Sequence, residues 1–194
     1  MTELSALQHI APMQRRRLSG LAKLAIHTAL QTKNNDAIDY IVWVSQYGDE
    51  QKTLQILQDV LQGQVPSPTQ FSTSVHNAIA GLYSILCQDD TVSTSLSGCW
   101  ADGLLEAYAY LKNQSHAKVL VVYYDAPLPE IYADMQCFET VAMAGVVSLD
   151  QPNLQLDFLA QNMSTNPADS IQDFLRFWQT QQVISNSGMW QKCG

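Results

Sequence analysis

Apolar residues recur at intervals of three and four in Leu18, Leu21, Ala22, Ala25, Ile26, Ala29 and Leu30. This is the spacing of one helix face, and it predicts an amphipathic helix over 13–33, ended by "TKNND". "YIVWVS" (40–45) follows as an unbroken apolar run, rich in β-branched and aromatic residues, as expected of a strand buried on both faces. "GDEQKTLQILQDVLQG" (48–63) returns to helical spacing, with Asp49 and Glu50 at the end where a helix dipole favours negative charge. Val75, Ala78, Ile79, Leu82, Ile85 and Leu86 define a helix face over 75–88, for which Ser72 or Ser74 is the natural N-cap.

"TVSTS" (91–95) reads as a short strand, "GCWADGLLEAYAYLKNQ" (98–114) as a helix and "KVLVVYYD" (118–125) as a second buried strand. "TVAMAGVVSL" (140–149) and "LQLDFL" (154–159) predict two more strands, which an Asp-Gln-Pro-Asn turn would join as an antiparallel pair. Asn166 as cap and Pro167 at the first helical position open a final helix over 166–182. The order predicts an α/β fold with a mixed sheet and helices on its faces, in one domain over 1–194. Residues 136–194 form its variable part, strands followed by the terminal helix.

Composition narrows the function. Hydrophobic residues make up 46% of the chain and charged residues only 14%, with Gln, Ser, Thr and Asn in their place. That is well below the usual quarter of charged residues, and it fits a chain that buries surface against a partner. The formal net charge of −8 argues against nucleic-acid binding, which needs a stripe of phosphate-neutralising cations. The one basic cluster, Arg15 to Arg17, is either a solvated helix start or a patch for an acidic partner or phosphate group. Cys87, Cys99, Cys137 and Cys193 are far apart and form no CxxC, and no run approaches a membrane span or a signal peptide. A cytoplasmic protein with reduced thiols is expected.

The chain has no Gly-rich phosphate loop, HExxH, GxSxG elbow or metal-ligand spacing, so neither a cofactor nor a metal is expected. Ser74, His76 and Asn77 resemble a catalytic cluster, but residues two apart in a helix's first turn do not face each other. A helix-capping or interface role fits them better. Cys99 lies between a short strand and a helix, where the dipole and free N–H groups would lower a thiol's pKa; a small buried hydrophobe is the alternative.

Five segments resemble the N-terminal half of β-ketoacyl synthases of the thiolase-like fold: "RRRLSGLAKLAI", "YIVWVSQYGDEQKTLQIL", "PSPTQFSTSVHNAIAGLYSI", "GLLEAYAYL" and "VLVVYYDAPLPEIY". They are most similar to the short synthase-like proteins of bacterial aryl polyene pathways, the chain-length-factor type of partner. The likeness covers most of 12–135, and "SPTQFSTSVHNAIAGLYSI" is its most specific part. In active synthases the strand before the long helix ends in a "TAC"-type signature whose cysteine takes the acyl chain. Matching Val92, Ser93 and Thr94 to that strand puts Leu96 in the cysteine position, and anchoring on Glu106 puts Ser97 there. Neither frame puts Cys99 there, so the nucleophile region Ser95, Leu96, Ser97 and Cys99 reads as degenerate. The family's two catalytic histidines belong to a C-terminal half that this sequence does not contain.

The resemblance implies a non-catalytic subunit that forms a heterodimer with an active β-ketoacyl synthase, in a type II polyketide or fatty-acid-like pathway. Thr91, Val92, Ser93, Thr94 and Ser95 would pair across the dimer two-fold, with Ser74, His76 and Asn77 at the interface or acyl tunnel. Acyl carrier protein would dock mainly on the partner, because this chain is itself acidic. Two other readings stay open: a small acyltransferase or thioesterase using Cys99 or Ser97, and a homo-oligomeric binding protein.

Overall fold

A computed structural model describes residues 4–132, 138–157 and 167–193. Its centre is a four-stranded sheet of order β2-β1-β3-β4. Strands β1 (Tyr40–Ser45), β2 (Ser93–Ser97) and β3 (Val119–Asp125) are parallel, and β4 (Val141–Val147) runs antiparallel to β3. Every residue of β1 and β3 is buried, which accounts for their unbroken apolar runs: both faces of these strands are covered. No residue of β2 is buried, because it lies at the sheet's edge.

On one face lie α2 (Gly20–Lys33) and α5 (Ala78–Cys87), which contribute Ala22, Ala25, Ile26, Ala29, Ile79 and Tyr83 to a core around Trp43. The Trp43 ring meets Tyr83 at 5.1 Å and Tyr124 at 6.2 Å between centroids. On the other face lie α6 (Trp100–Asn113), α7 (Pro167–Gln179) and a small antiparallel sheet of β5 (Leu154–Leu156) and β6 (Trp190–Lys192). Ile171, Phe174, Phe177, Met189 and Trp190 pack there on a core with Val42, Val44 and Val121. The chain's last third therefore covers one face of the sheet. Gly103 lets α6 approach closely: a Cβ there would lie 2.6 Å from Val44 Cγ2 and 2.9 Å from Val121 Cγ1.

The structure corrects several expectations. The helix expected over 13–33 is two helices, α1 (Pro12–Arg17) and α2, because Leu18 is extended and Ser19 caps the second by accepting from Ala22 N–H. Neither Ser72 nor Ser74 caps α5. Ser67 instead caps a short helix, α4 (Pro68–Ser72), through a reciprocal box with Gln70, while the Ser72 and Ser74 hydroxyls donate back to the Thr69 and Phe71 carbonyls. On α5 the core face is Ile79, Ala80 and Tyr83, and Ile85 is exposed. The strand expected over 91–95 lies two residues later. The last two expected strands do not pair with each other: β4 pairs with β3, and β5 with β6, a strand that three residues near the end of the sequence did not signal. The remaining helix, α3 (Glu50–Leu61), is where periodicity placed it but buries no residue. Asn166 and Cys137 lie outside the described residues.

Candidate functional site

The three parallel strands end on the same side of the sheet, where open α/β sheets place their functional groups. Two of the apolar runs end in a polar residue, Ser45 on β1 and Asp125 on β3, and both are fully buried. Ser45 Oγ donates to Asp125 Oδ1 at 2.7 Å, and the carboxylate also accepts from Gln46 N–H at 2.9 Å and Tyr47 N–H at 3.1 Å. Burial pushes the Asp125 carboxyl above its ordinary pKa, and these hydrogen bonds partly oppose that rise. Gly48 N–H donates to Ser45 Oγ at 2.7 Å in a turn where Gly48 adopts φ +69°, so the β1–α3 loop is tied to the strand ends.

The Ser45 carbonyl then joins two further loops. It accepts from Gly98 N–H at 3.3 Å and lies 2.9 Å from His76 Nε2, which must carry the proton because a carbonyl only accepts. His76 therefore faces the backbone of β1, and the Ser74 hydroxyl is committed to Phe71. The two side chains are not partners. Asn77 sits at the N-cap position of α5 without a side-chain cap bond, exposed at the mouth of a groove.

In the segment expected to be a degenerate nucleophile region, Leu96 packs against the core on the α6 face. Ser97 is exposed and its hydroxyl donates to the Gln46 carbonyl at 3.2 Å. Cys99 is the N-cap of α6: its N–H donates to Asp102 Oδ2 at 2.7 Å, and its sulfur accepts from the Asp102 backbone N–H. The thiol is pushed up, by burial above all, with the Asp102 carboxylate adding to the rise. The helix N-terminus does not lower this thiol: burial outweighs the backbone N–H that it accepts, and the Asp102 carboxylate adds to the rise. Among the described residues no group of three or more metal-ligating side chains is found, and no helix is long and apolar enough to cross a membrane.

Of the residues expected at an interface or tunnel, Asn77, Ser93, Thr94 and Ser95 lie together along the free edge of the sheet, whereas Ser74 and His76 do not join them. Asn77, Ala80, Gly81 and Ser84 of the α5 region line an open groove with Ser93, Thr94 and Ser95 of β2. Val92, just before the strand, is exposed while its carbonyl accepts from Ile41 N–H at 3.0 Å; Thr91 is held by Asp89 through a 3.0 Å bond from its N–H. Arg15 to Arg17 fill the last turn of α1, away from these loops in sequence, where the helix dipole favours cations. Sequence reasoning missed Ser45 and Asp125. Their signal was there: each is the single polar residue ending an apolar strand.

The fold is a mixed α/β sheet with loops converging at the ends of its parallel strands. The β-ketoacyl synthase N-terminal domain model matches residues 1–191, and the chain belongs to that family. Among solved structures it is similar to a chain of the ketosynthase (ApeO) in complex with its chain length factor (ApeC) from Xenorhabdus doucetiae. That match has a TM-score of 0.73 and 28% identity over 89% of this chain and 75% of that chain. A 1,3,6,8-tetrahydroxynaphthalene synthase from Streptomyces coelicolor A3(2), a type III polyketide synthase, aligns at TM-score 0.35 and 15% identity, over 84% of this chain and 49% of that one. No curated protein matches.

Proposed function

We propose that the protein is a non-catalytic, chain-length-factor-type subunit that pairs with an active β-ketoacyl synthase in aryl polyene biosynthesis or a similar type II pathway. The observation that carries this reading is the β2–α6 turn. Leu96 is packed as a core residue, Ser97 is bonded to a backbone carbonyl, and Cys99 is a helix cap with a raised pKa. None is held as a nucleophile beside a base. The similarity to a ketosynthase–chain length factor complex supports a synthase as partner. The free edge of β2 offers unpaired main-chain groups for strand pairing, and the groove beside it offers small side chains that let another backbone approach. The chain's acidity favours carrier-protein docking on the partner rather than on this subunit.

The test is co-expression with the β-ketoacyl synthases of the source organism, followed by size-exclusion chromatography with light scattering. A stoichiometric heterodimer is expected, weakened at least tenfold by Gly81→Leu, which puts bulk in the groove. A chain that is monodisperse alone and never co-purifies sinks the reading. Incubation with an acyl-thioester should leave the intact mass unchanged. An adduct lost in Cys99→Ala or Ser97→Ala would instead establish an acyltransferase or thioesterase.

A further inference from the structure

The helical hairpin 50–72 is the part of the molecule that the core does not account for. Leu54, Ile56, Leu57, Val60 and Leu61 of α3 fall within an arc of about 160° at the helical repeat, and Glu50 in the first turn is the one charged residue of the helix within that arc. Gln51, Lys52, Gln55, Gln58 and Asp59 take the opposite side. Such segregation normally marks a face turned to a core. Here no residue of α3 is buried, and α4 is the main element packed on it. Leu57, Val60 and Leu61 are 50%, 53% and 86% exposed, and the apolar surface continues through Val65 at 92% and Phe71 at 63%. Leu54 and Ile56 are half-buried, but a twelve-residue helix is marginal in water without tertiary contacts, and the outer half of this face has no such packing.

We infer that the 50–72 hairpin is a second docking element for the same ketosynthase subunit, continuous with the β2 edge; this rests on the proposed function. Continuity is the first argument. Phe71 leads through Val75, itself exposed, to Asn77, and from there α5 carries Gly81 and Ser84 along the groove beside β2. The turn between them is fixed rather than floppy, because His76 is bonded to the Ser45 carbonyl and Lys52 Nζ reaches the Thr73 carbonyl at 3.4 Å.

Size is the second argument. A stable pair buries roughly 800 Å² per partner over about 20–30 residues. The groove and strand edge supply seven lining residues, too few by themselves. The hairpin adds the missing apolar area.

Charge selects the occupant. An acidic carrier protein would need cations on this face, and the nearest, Lys52, is engaged with Asp49 at 3.5 Å. Beyond Glu50 in its first turn the arc is apolar, and it calls for an apolar face on the partner, of the kind a subunit-to-subunit contact provides.

The experiment uses the full chain and the double variant Leu57→Asp, Leu61→Asp, whose positions are exposed, with thermal melting as a check on folding. Binding of each to the co-expressed synthase is measured by light scattering and by interferometry on the immobilised complex partner. The expected result is an at least hundredfold weaker association for the double variant, with amide protection over 50–72 appearing only in the wild-type complex. Equal binding by both proteins, with no protection of 50–72, overturns this inference and leaves the heterodimer standing. Failure of the wild type to bind any synthase overturns both. A homodimer that the double variant dissolves also overturns it, by identifying a second copy as the occupant.

Discussion

Helices α3 and α6 follow β1 and β2 respectively, and both alternate apolar and polar residues at helical spacing. Yet α6 buries Trp100, Ala101, Gly103, Leu104, Ala107 and Leu111, whereas α3 buries nothing. The difference lies in what stands opposite. Gly103 lets α6 settle onto Val44 and Val121, and Phe174 packs at a tilt on Trp100, with 5.6 Å between ring centroids. Helix α3 has α4 as the main element packed on it and leaves Leu57, Val60 and Leu61 exposed. Periodicity reports that a helix has an apolar face; it does not report whether the chain itself supplies the surface to cover it.

The sharpest way to break the packed side is at its polar anchor. Asp125→Ala leaves the Ser45 hydroxyl and the Gln46 and Tyr47 amides without their acceptor in or near the interior. At about 1–3 kcal/mol per unsatisfied group, the loss should be about 3 kcal/mol or more in urea unfolding. Asp125→Asn, which keeps one carbonyl oxygen, should lose less. An equal loss from both would mean that the carboxylate's second oxygen matters as much as the first.

Gly103→Ala comes next. Its methyl would sit 2.6 Å from Val44 Cγ2, so α6 has to move off the sheet, at a cost of about 1–3 kcal/mol. A neutral result would mean that α6 is loosely held, and the contrast with α3 would weaken.

A smaller effect, on the order of 1 kcal/mol near neutral pH, is expected from Lys33→Met. Lys33 Nζ lies 2.6 Å from Asp89 Oδ2, and Tyr83 Oη donates to the same oxygen at 2.8 Å. Burial acts to raise the Asp89 carboxyl, but Lys33, Thr91 and Tyr83 outweigh it and hold it far below the ordinary carboxylate range. An acid whose folded pKa is depressed adds stability above its unfolded value, about 3.9, and loses it as pH falls towards the folded value. Wild-type stability should therefore drop below pH 4, and this acid limb should flatten in Lys33→Met when urea midpoints are compared at several pH values.

Much of this was legible in the chain. The buried strands 40–45 and 118–125 stood out because runs such as "YIVWVS" fit a sheet covered on both faces, and the helix at 98–114 was placed within two residues of α6. The edge strand was displaced because "TVSTS" and "LS" are equally polar, and its bounds are set by hydrogen bonds to β1. The expected cap of α5 is missing because 67–72 folds as a helix of its own: Ser67 caps that helix with Gln70 three residues on and Pro68 following, and the Ser72 and Ser74 hydroxyls turn back onto the Thr69 and Phe71 carbonyls. The β3–β4 and β5–β6 pairings are tertiary choices that a two-residue alternation does not encode. Within the site, the resemblance drew attention to the region of Ser97 and Cys99, but the raised Cys99 thiol was not legible, since it depends on burial and on Asp102. Asp125 was overlooked because its role depends on Ser45, eighty residues away.

The smallest expected effect is the one that bears most directly on the comparison. Leu61→Ala removes a large apolar side chain that is 86% exposed, so little transfer free energy is lost on unfolding. In the isolated protein the change should be below about 0.5 kcal/mol, within the range of ordinary surface substitutions. Leu104→Ala, at a comparable place on α6, should cost about 2–5 kcal/mol, because that side chain is 9% exposed and leaves a cavity. The pair measures, with one chemical change at two sites, the difference between an apolar face that the fold has covered and one it has left open. A loss at Leu61 as large as that at Leu104 would mean that the hairpin is buried in the isolated protein, by its own chain or by a second copy. The concentration dependence of the unfolding midpoint separates those two, since only self-association makes it rise with protein concentration.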